Sequence, residues 1–303
     1  MPADSVDSVP EQIVESDSLS LRRKWLLIGT FLIVYILAVA IARQMHESHV
    51  SSQRLATKML AQGYAQRIQE RLQTALVSTY VLATVVKESG GRVQNFDSVA
   101  AELITLFPSV SALQLAPDGV IREVYPLEGN EASIGHDLLS DRSRNREAVA
   151  AVTTQQLTLA GPYNLIQGGV GAIGRLPVFL VNERNESHFW GFANALIRIP
   201  NLLDAAGLSG LAKAGYRYEL WRLDPDTELR QVIARSGELP PVAPVEYVIT
   251  VFGGRWILSL APNAAWASAY DYLEILAYSL VVAAIVTLLQ YFGIRSLLQA
   301  HRG

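Results

Sequence analysis

Cysteine is absent from the 303 residues, which excludes disulfides, thiolate nucleophiles and cysteine zinc sites and leaves any folded part to be held by packing alone. A basic excess is missing too: 25 Lys and Arg face 28 Asp and Glu, a net charge of −3, so nucleic acid is not an expected partner. Histidine is scarce, five in all. His46 and His49 stand three apart, on one face of any helix there, but no third ligand accompanies them. His136 and His188 belong to no HExxH arrangement, and no metal or cofactor is expected. The G-x-S-x-G word of a serine nucleophile is lacking as well.

Long apolar runs are what the chain does have: Trp25 to Ala42 with 18 residues and Ile275 to Ile294 with 20. As helices rising about 1.5 Å per residue they reach roughly 27 and 30 Å, the thickness of a bilayer's hydrocarbon. Arg22, Arg23 and Lys24 precede the first run, and Arg295 and Arg302 follow the second, with no acid in the closing nine residues. The positive-inside rule therefore predicts cytoplasmic termini and an outer part at 43–272, as in a two-pass protein of a bacterial inner membrane with a periplasmic domain. Trp25 at one interface, and Trp266, Tyr270 and Tyr272 at another, suit the headgroup layer. A cleaved signal peptide is the rival reading, since Ala38-Val39-Ala40 has the form of a cleavage site; the run exceeds the ~7–15-residue core of such signals, and cleavage would leave the outer part unchanged.

Residues 1–21, acidic and rich in Ser and Pro, are expected to be a disordered cytoplasmic tail. From Gln44 to Glu88 there is no proline, and Leu55, Met59, Ile68, Leu72, Leu76, Leu82 and Val86 recur at helical intervals before a Gly90-Gly91 cap. That predicts a helix extending the first span, its stripe packing on its own domain or forming a dimer seam. Asp97 or Ser98 starts a second helix that Pro108 ends. Val110 to Ala116 and Val120 to Tyr125, joined by Pro117-Asp118-Gly119, predict a β-hairpin. A short helix from Ser143 to about Val152 follows, then strands at Gln156–Ala160, Ala172–Val181 and Phe189–Arg198. A helix at Asn201–Leu211 leads to strands Tyr216–Leu223, Leu229–Arg235, Val245–Phe252 and Trp256–Ala261.

Within residues 134–194 the words Ile134-Gly135-His136-Asp137-Leu138, Arg146-Glu147-Ala148, Leu157 to Pro162, Arg175-Leu176-Pro177-Val178-Phe179 and Gly191-Phe192-Ala193 follow in order. In order and spacing the segment resembles the CHASE domain, the extracytoplasmic sensory domain of many histidine kinases and diguanylate cyclases and of plant cytokinin receptors. The resemblance implies an α+β fold: a long N-terminal stalk helix (44–88) carrying two tandem PAS-like lobes, distal (95–198) and proximal (200–262), flanked by transmembrane helices at 25–42 and 275–294, with 295–303 cytoplasmic. It also implies a small-molecule pocket in the distal lobe and a homodimer. In the plant receptors an aspartate of the first word bonds the ligand's purine, and Asp137 holds that place. The threonine two residues before the later proline is Arg175 here, which makes an anionic ligand a better fit than a cytokinin-like purine.

Small-ligand pockets are mostly apolar with a few polar groups. Tyr125, Tyr163, Phe179 and Phe192 lie in or beside the words that would line the distal cavity, and the expected ligand set is Asp137, Tyr163, Asn164, Ile166, Arg175 and Phe179. Core packing is the plainer role for each aromatic. For Asp137 the plainer role is a buried structural aspartate at a turn, and an acid–base pair with His136 is not expected because adjacent strand residues face opposite ways. Gly169 to Gly174 satisfies G-x-G-x-x-G, but it leads into a strand-like word with a proline, so a loop, flexible or plain, is expected instead of a dinucleotide site. Arg142, Arg144 and Arg146 could clamp carboxylate or phosphate; a solvated face is the plainer reading.

These readings converge on a non-enzymatic sensor. A small molecule bound outside would shift the membrane helices and drive a kinase or cyclase output lying beyond this chain or in a partner protein, the lipid bilayer being the other partner. A tethered periplasmic hydrolase and an envelope scaffold are the alternatives.

Overall fold

The structure, a computed structural model, describes residues 11–300 apart from 143–144, 167, 226, 265 and 267–268. The chain divides into two compact units, residues 1–54 with 265–303, and residues 55–264.

The first unit is built from the first part of helix α1 (Glu11–Glu88) and from helix α6 (Ala269–Ala300). Both helices are long and apolar enough to cross a membrane. Trp25, Ile33, Tyr278 and Leu289 expose about two thirds of their surface, as side chains facing lipid would. Ser279 and Ala283, small residues one turn apart, are buried instead, the pattern of a close helix contact. The His46 ring meets Tyr272 edge-on at 5.7 Å, and the Arg54 guanidinium lies 4.9 Å over Trp266. Residues 1–10 of the expected disordered tail lie outside the described residues, whereas Glu11–Leu21 form the first turns of α1. Acids at a helix N-terminus favour that outcome by complementing its dipole.

The second unit holds two antiparallel sheets. The rest of α1 buries Ala61, Ala65, Ile68, Leu72, Leu76, Thr79, Leu82 and Val86, a stripe at three- and four-residue steps. Leu55 and Met59 fall off that stripe and are 62% and 66% exposed, because Thr57 and Ala61, one turn apart, supply the buried face at that level. Gly91 N–H returns to the Val86 carbonyl at 2.8 Å with Gly90 at φ +60°, closing the helix as expected. Helix α2 (Phe96–Leu106) follows.

The first sheet contains β1 (Ala112–Pro117), β2 (Glu123–Tyr125), β3 (Thr158–Asn164), β4 (Val170–Val181) and β5 (Ser187–Arg198), in the order β2-β1-β5-β4-β3. Helix α3 (Arg146–Thr154) lies in the long connection from β2 to β3. The glycine word is not a loop. Val170 to Gly174 already run in β4, and the glycines serve by lacking a Cβ: at Gly174 one would overlap Leu76 Cδ2 of α1, and at Gly171 it would come within 2.8 Å of Leu165 Cδ1. The expected helix at 201–211 is two short ones, α4 (Ile199–Ala205) and α5 (Ser209–Lys213), parted at Gly207 with φ +77°. The second sheet, β6 (Tyr216–Leu223), β7 (Arg230–Arg235), β8 (Val245–Val251) and β9 (Gly254–Pro262), has the order β7-β6-β9-β8. The two sheets meet where Leu159 N–H donates to the Phe252 carbonyl at 2.8 Å.

Strand alternation divides the first sheet's surfaces. Leu113, Leu115, Ala193, Ala195, Ala172 and Leu176 join α1 and α2 in the main core. The opposite face carries two smaller apolar clusters, one around Ala116, Phe192, Ile121 and Leu138, the other around Ala112, Leu196, Val124 and Leu165.

Candidate functional site

Between those two clusters the sheet turns polar. Cross-strand register pairs Gln114 of β1 with Asn194 of β5, Asn194 with Arg175 of β4, and Arg175 with Thr158 of β3. These four side chains therefore form one row on one face of the sheet. All are buried: Gln114 is 2% exposed, Asn194 0%, Arg175 1% and Thr158 6%. Among the described residues, both amide atoms of Asn194 and Oε1 of Gln114 are buried without a hydrogen-bond partner. A buried polar group left so costs about 1–3 kcal/mol, and such groups normally serve a water, an ion or a ligand. Gln114 and Arg175 line a cavity of about 30 Å³ together with Ser133, His136, Tyr163 and Ile166. That volume holds a water or two.

Tyr163 closes one side of the cavity. Its hydroxyl donates to Glu147 Oε2 at 2.7 Å, and Thr158 Oγ1 donates to the Glu147 carbonyl at 3.0 Å, so α3 is tied to β3 at two points. Burial, reinforced by the Glu147 carboxylate, raises the phenol's pKa well above its ordinary value and keeps it a neutral donor.

The expected ligand set is split by this geometry. Tyr163, Ile166 and Arg175 are brought together at the cavity. Asn164 is exposed at the end of β3, paired with Val170. Phe179 follows an irregularity in the β4–β5 register and packs its ring edge-on against Phe189 at 5.7 Å. Asp137 forms a bridge with Val120, and its carboxylate accepts from Leu139 N–H at 2.9 Å, Ser140 N–H at 3.0 Å and Ser140 Oγ at 2.6 Å. The Ser140 hydroxyl, and then the two backbone donors, hold its pKa below the ordinary value. His136 and Leu138 on either side line the cavity, while Asp137 does not. Gln114, Asn194, Thr158 and Ser133 were not foreseen. The signal for the first two was available: each is a lone amide inside an otherwise apolar strand, Ala112-Leu113-Gln114-Leu115-Ala116 and Phe192-Ala193-Asn194-Ala195-Leu196.

The second unit is thus a helix-backed sheet with a buried polar row, in a chain with two helices long and apolar enough to cross a membrane. The chain belongs to the CHASE domain family, whose sequence model matches residues 43–228. Among solved structures it is similar to the extracellular ligand binding receptor from Desulfohalobium retbaense, at 15% identity and a TM-score of 0.53, with 68% of this chain and 40% of that one covered. The sensory domain of the Campylobacter jejuni chemoreceptor Tlp3 is similar at 10% identity and a TM-score of 0.48, with 75% of this chain and 98% of that one covered. No curated protein matches. The family match extends the resemblance seen in residues 134–194 to most of the second unit and makes it an extracytoplasmic sensor module.

Proposed function

We propose that this protein is a two-pass receptor of a bacterial inner membrane, with cytoplasmic termini and a periplasmic sensor whose sheets are tandem PAS-like lobes. The first sheet binds a small molecule over the polar row and beneath the segment 119–142. The observation that carries this reading is Asn194, fully buried in mid-sheet with both amide atoms unpartnered among the described residues. A ligand suited to the row presents an anionic group to Arg175, an acceptor to Asn194 Nδ2 and a donor to the oxygens of Asn194 and Gln114. Arg175, Tyr163 and Ile166 touch it, and Asp137 orders the turn above.

The cavity is too small for such a molecule in this arrangement, so binding selects a second arrangement in which the covering segment stands further off. The change passes through β4 to α1, and a homodimer seam along exposed Leu55, Met59, Val77 and Tyr80 reads it out to a kinase or cyclase output beyond this chain. A thermal-shift screen of the full chain in detergent, against metabolites bearing a carboxylate and an amine, tests this. Stabilising compounds should lose their effect in Asn194→Ala and Arg175→Gln and keep it in Asp137→Ala. Hits that survive both of the first two changes would remove the row from the binding site.

A further inference from the structure

A wider opening lies between the two sheets, apart from the polar row. The first turn of α3, the end of β3 and the β6–β7 hairpin enclose a groove of about 690 Å³, lined by Arg142, Asn145, Arg146, Glu147, Tyr163 and Arg222 among others. That falls within the roughly 300–1,000 Å³ of small-ligand sites.

Among the described residues its wall carries three guanidiniums against two carboxylates, an excess of one positive charge. It also receives the positive end of the α3 dipole, whose N-cap Asn145 makes no side-chain cap bond and donates its amide nitrogen to the Leu139 carbonyl at 2.9 Å. The two acids in its wall are already engaged. Glu147 accepts from Tyr163 at 2.7 Å and stands 3.7 Å from Arg222, while Asp224 Oδ1 accepts from Thr227 N–H at 2.9 Å and Thr227 Oγ1 at 3.0 Å. Arg222 is 8% exposed and is fixed by its Nε–H donating to Gln231 Oε1 at 2.7 Å. Arg146 donates to the Pro225 carbonyl across the groove. Arg142 is exposed and forms no ion pair among the described residues.

The geometry points to a second binding site here, for a small oxyanion such as a phosphorylated or polycarboxylate metabolite, held by Arg142 and Arg146 over the α3 N-terminus with Arg222 as the buried charge behind it. Forked guanidiniums match the paired oxygens of phosphate and carboxylate, and helix N–H groups add donors of the same sense. The site is separate from the row: among the described residues, Arg175 and Gln114 do not line the groove, and Tyr163 alone is a wall of both spaces.

Isothermal titration of the full chain in detergent at low salt, with inorganic phosphate and with citrate as probes and sodium chloride as the control, tests the assignment. At least one probe binds above the chloride control, and Arg142→Gln and Arg146→Gln each weaken it about tenfold or more, as expected for a lost charge-assisted bond. Arg175→Gln leaves this binding unchanged, which separates the groove from the row. Arg146→Gln also loses the Pro225 contact, so the surface change at Arg142, checked by an unaltered melting temperature, is the decisive variant. Failure of both probes to bind, or affinity unchanged in Arg142→Gln, overturns the proposal.

Discussion

Gly174→Ala probes the contact through which the first sheet rests on α1. Gly174 lies in β4 with ordinary strand geometry, so no backbone requirement calls for glycine; the space does. An added Cβ would overlap Leu76 Cδ2 and lie 3.5 Å from Leu76 Cγ and 3.7 Å from Thr79 Cγ2. Leu76 is 1% exposed and Thr79 is fully buried, so neither can swing into solvent. Overpacking of this kind costs about 1–3 kcal/mol. The stiffer unfolded chain of alanine returns about 0.4–1 kcal/mol, leaving a net loss of about 1–2 kcal/mol. For a unit of this size that lowers the melting temperature by roughly 2–8 °C. Leu76→Ala alone opens a cavity and costs about 2–5 kcal/mol. In that background Gly174→Ala has no Cδ2 to meet and becomes neutral or stabilising, so the two changes are strongly non-additive. Thermal unfolding of the four proteins of this cycle gives the answer. A Gly174→Ala variant as stable as the parent, or energies that add within about 0.5 kcal/mol, would refute the close packing of β4 on α1.

Two further changes test the row and the turn above it. Asn194→Val removes two unpartnered buried atoms, so the unliganded protein keeps its stability or gains up to about 1–3 kcal/mol in denaturant unfolding while losing its response to ligand; a clear loss of stability would mean the amide is satisfied in the folded state. Asp137→Asn acts through pH: the folded carboxyl has a lowered pKa, so its contribution is present above about pH 4 and fades as the pH falls through the folded value. The parent therefore loses more melting temperature than Asp137→Asn on acidification from neutral pH to below pH 3, and parallel losses in the two would count against the Ser140 and Leu139 hydrogen bonds.

What could be read ahead of the structure followed local rules. Asp118 and Gly119 adopt φ +54° and +85°, the values an Asp-Gly hairpin turn demands, and β1 pairs with β2 as the alternation predicts. Even there the strand after the turn is shorter than expected, because Val120 bridges Asp137 and leaves β2 to start at Glu123. The glycine word escapes local rules for a similar reason: what makes glycine necessary at 174 is Leu76, from a distant part of the chain, and at 171 it is the packing of Leu165 and Leu196. The polar row needed still more. Gln114, Thr158, Arg175 and Asn194 are spread over 80 residues of sequence, and only strand register brings them into one line. Arg175 stands out through the family word it interrupts, whereas Asn194 falls just past the word Gly191-Phe192-Ala193 and is marked only as a lone amide in an apolar strand.

The row and the α1 contact are neighbours in sequence as well as opposites in space. Arg175 and Gly174 are consecutive in β4, so they point to the two faces of one sheet: the guanidinium toward the covered cavity, the bare Cα toward Leu76. A strand hydrogen-bonded on both sides, by β3 and β5, has little freedom to bend at one residue alone. On the proposed function, a shift of Arg175 toward an anion would move Gly174, and with no side chain in between, the displacement would meet α1 directly. Close-packed interfaces respond to such a push by switching between discrete packings, because they compress poorly. Restoring a Cβ at 174 would bias that switch permanently, which is why the variant that tests the packing also alters any signal that depends on it.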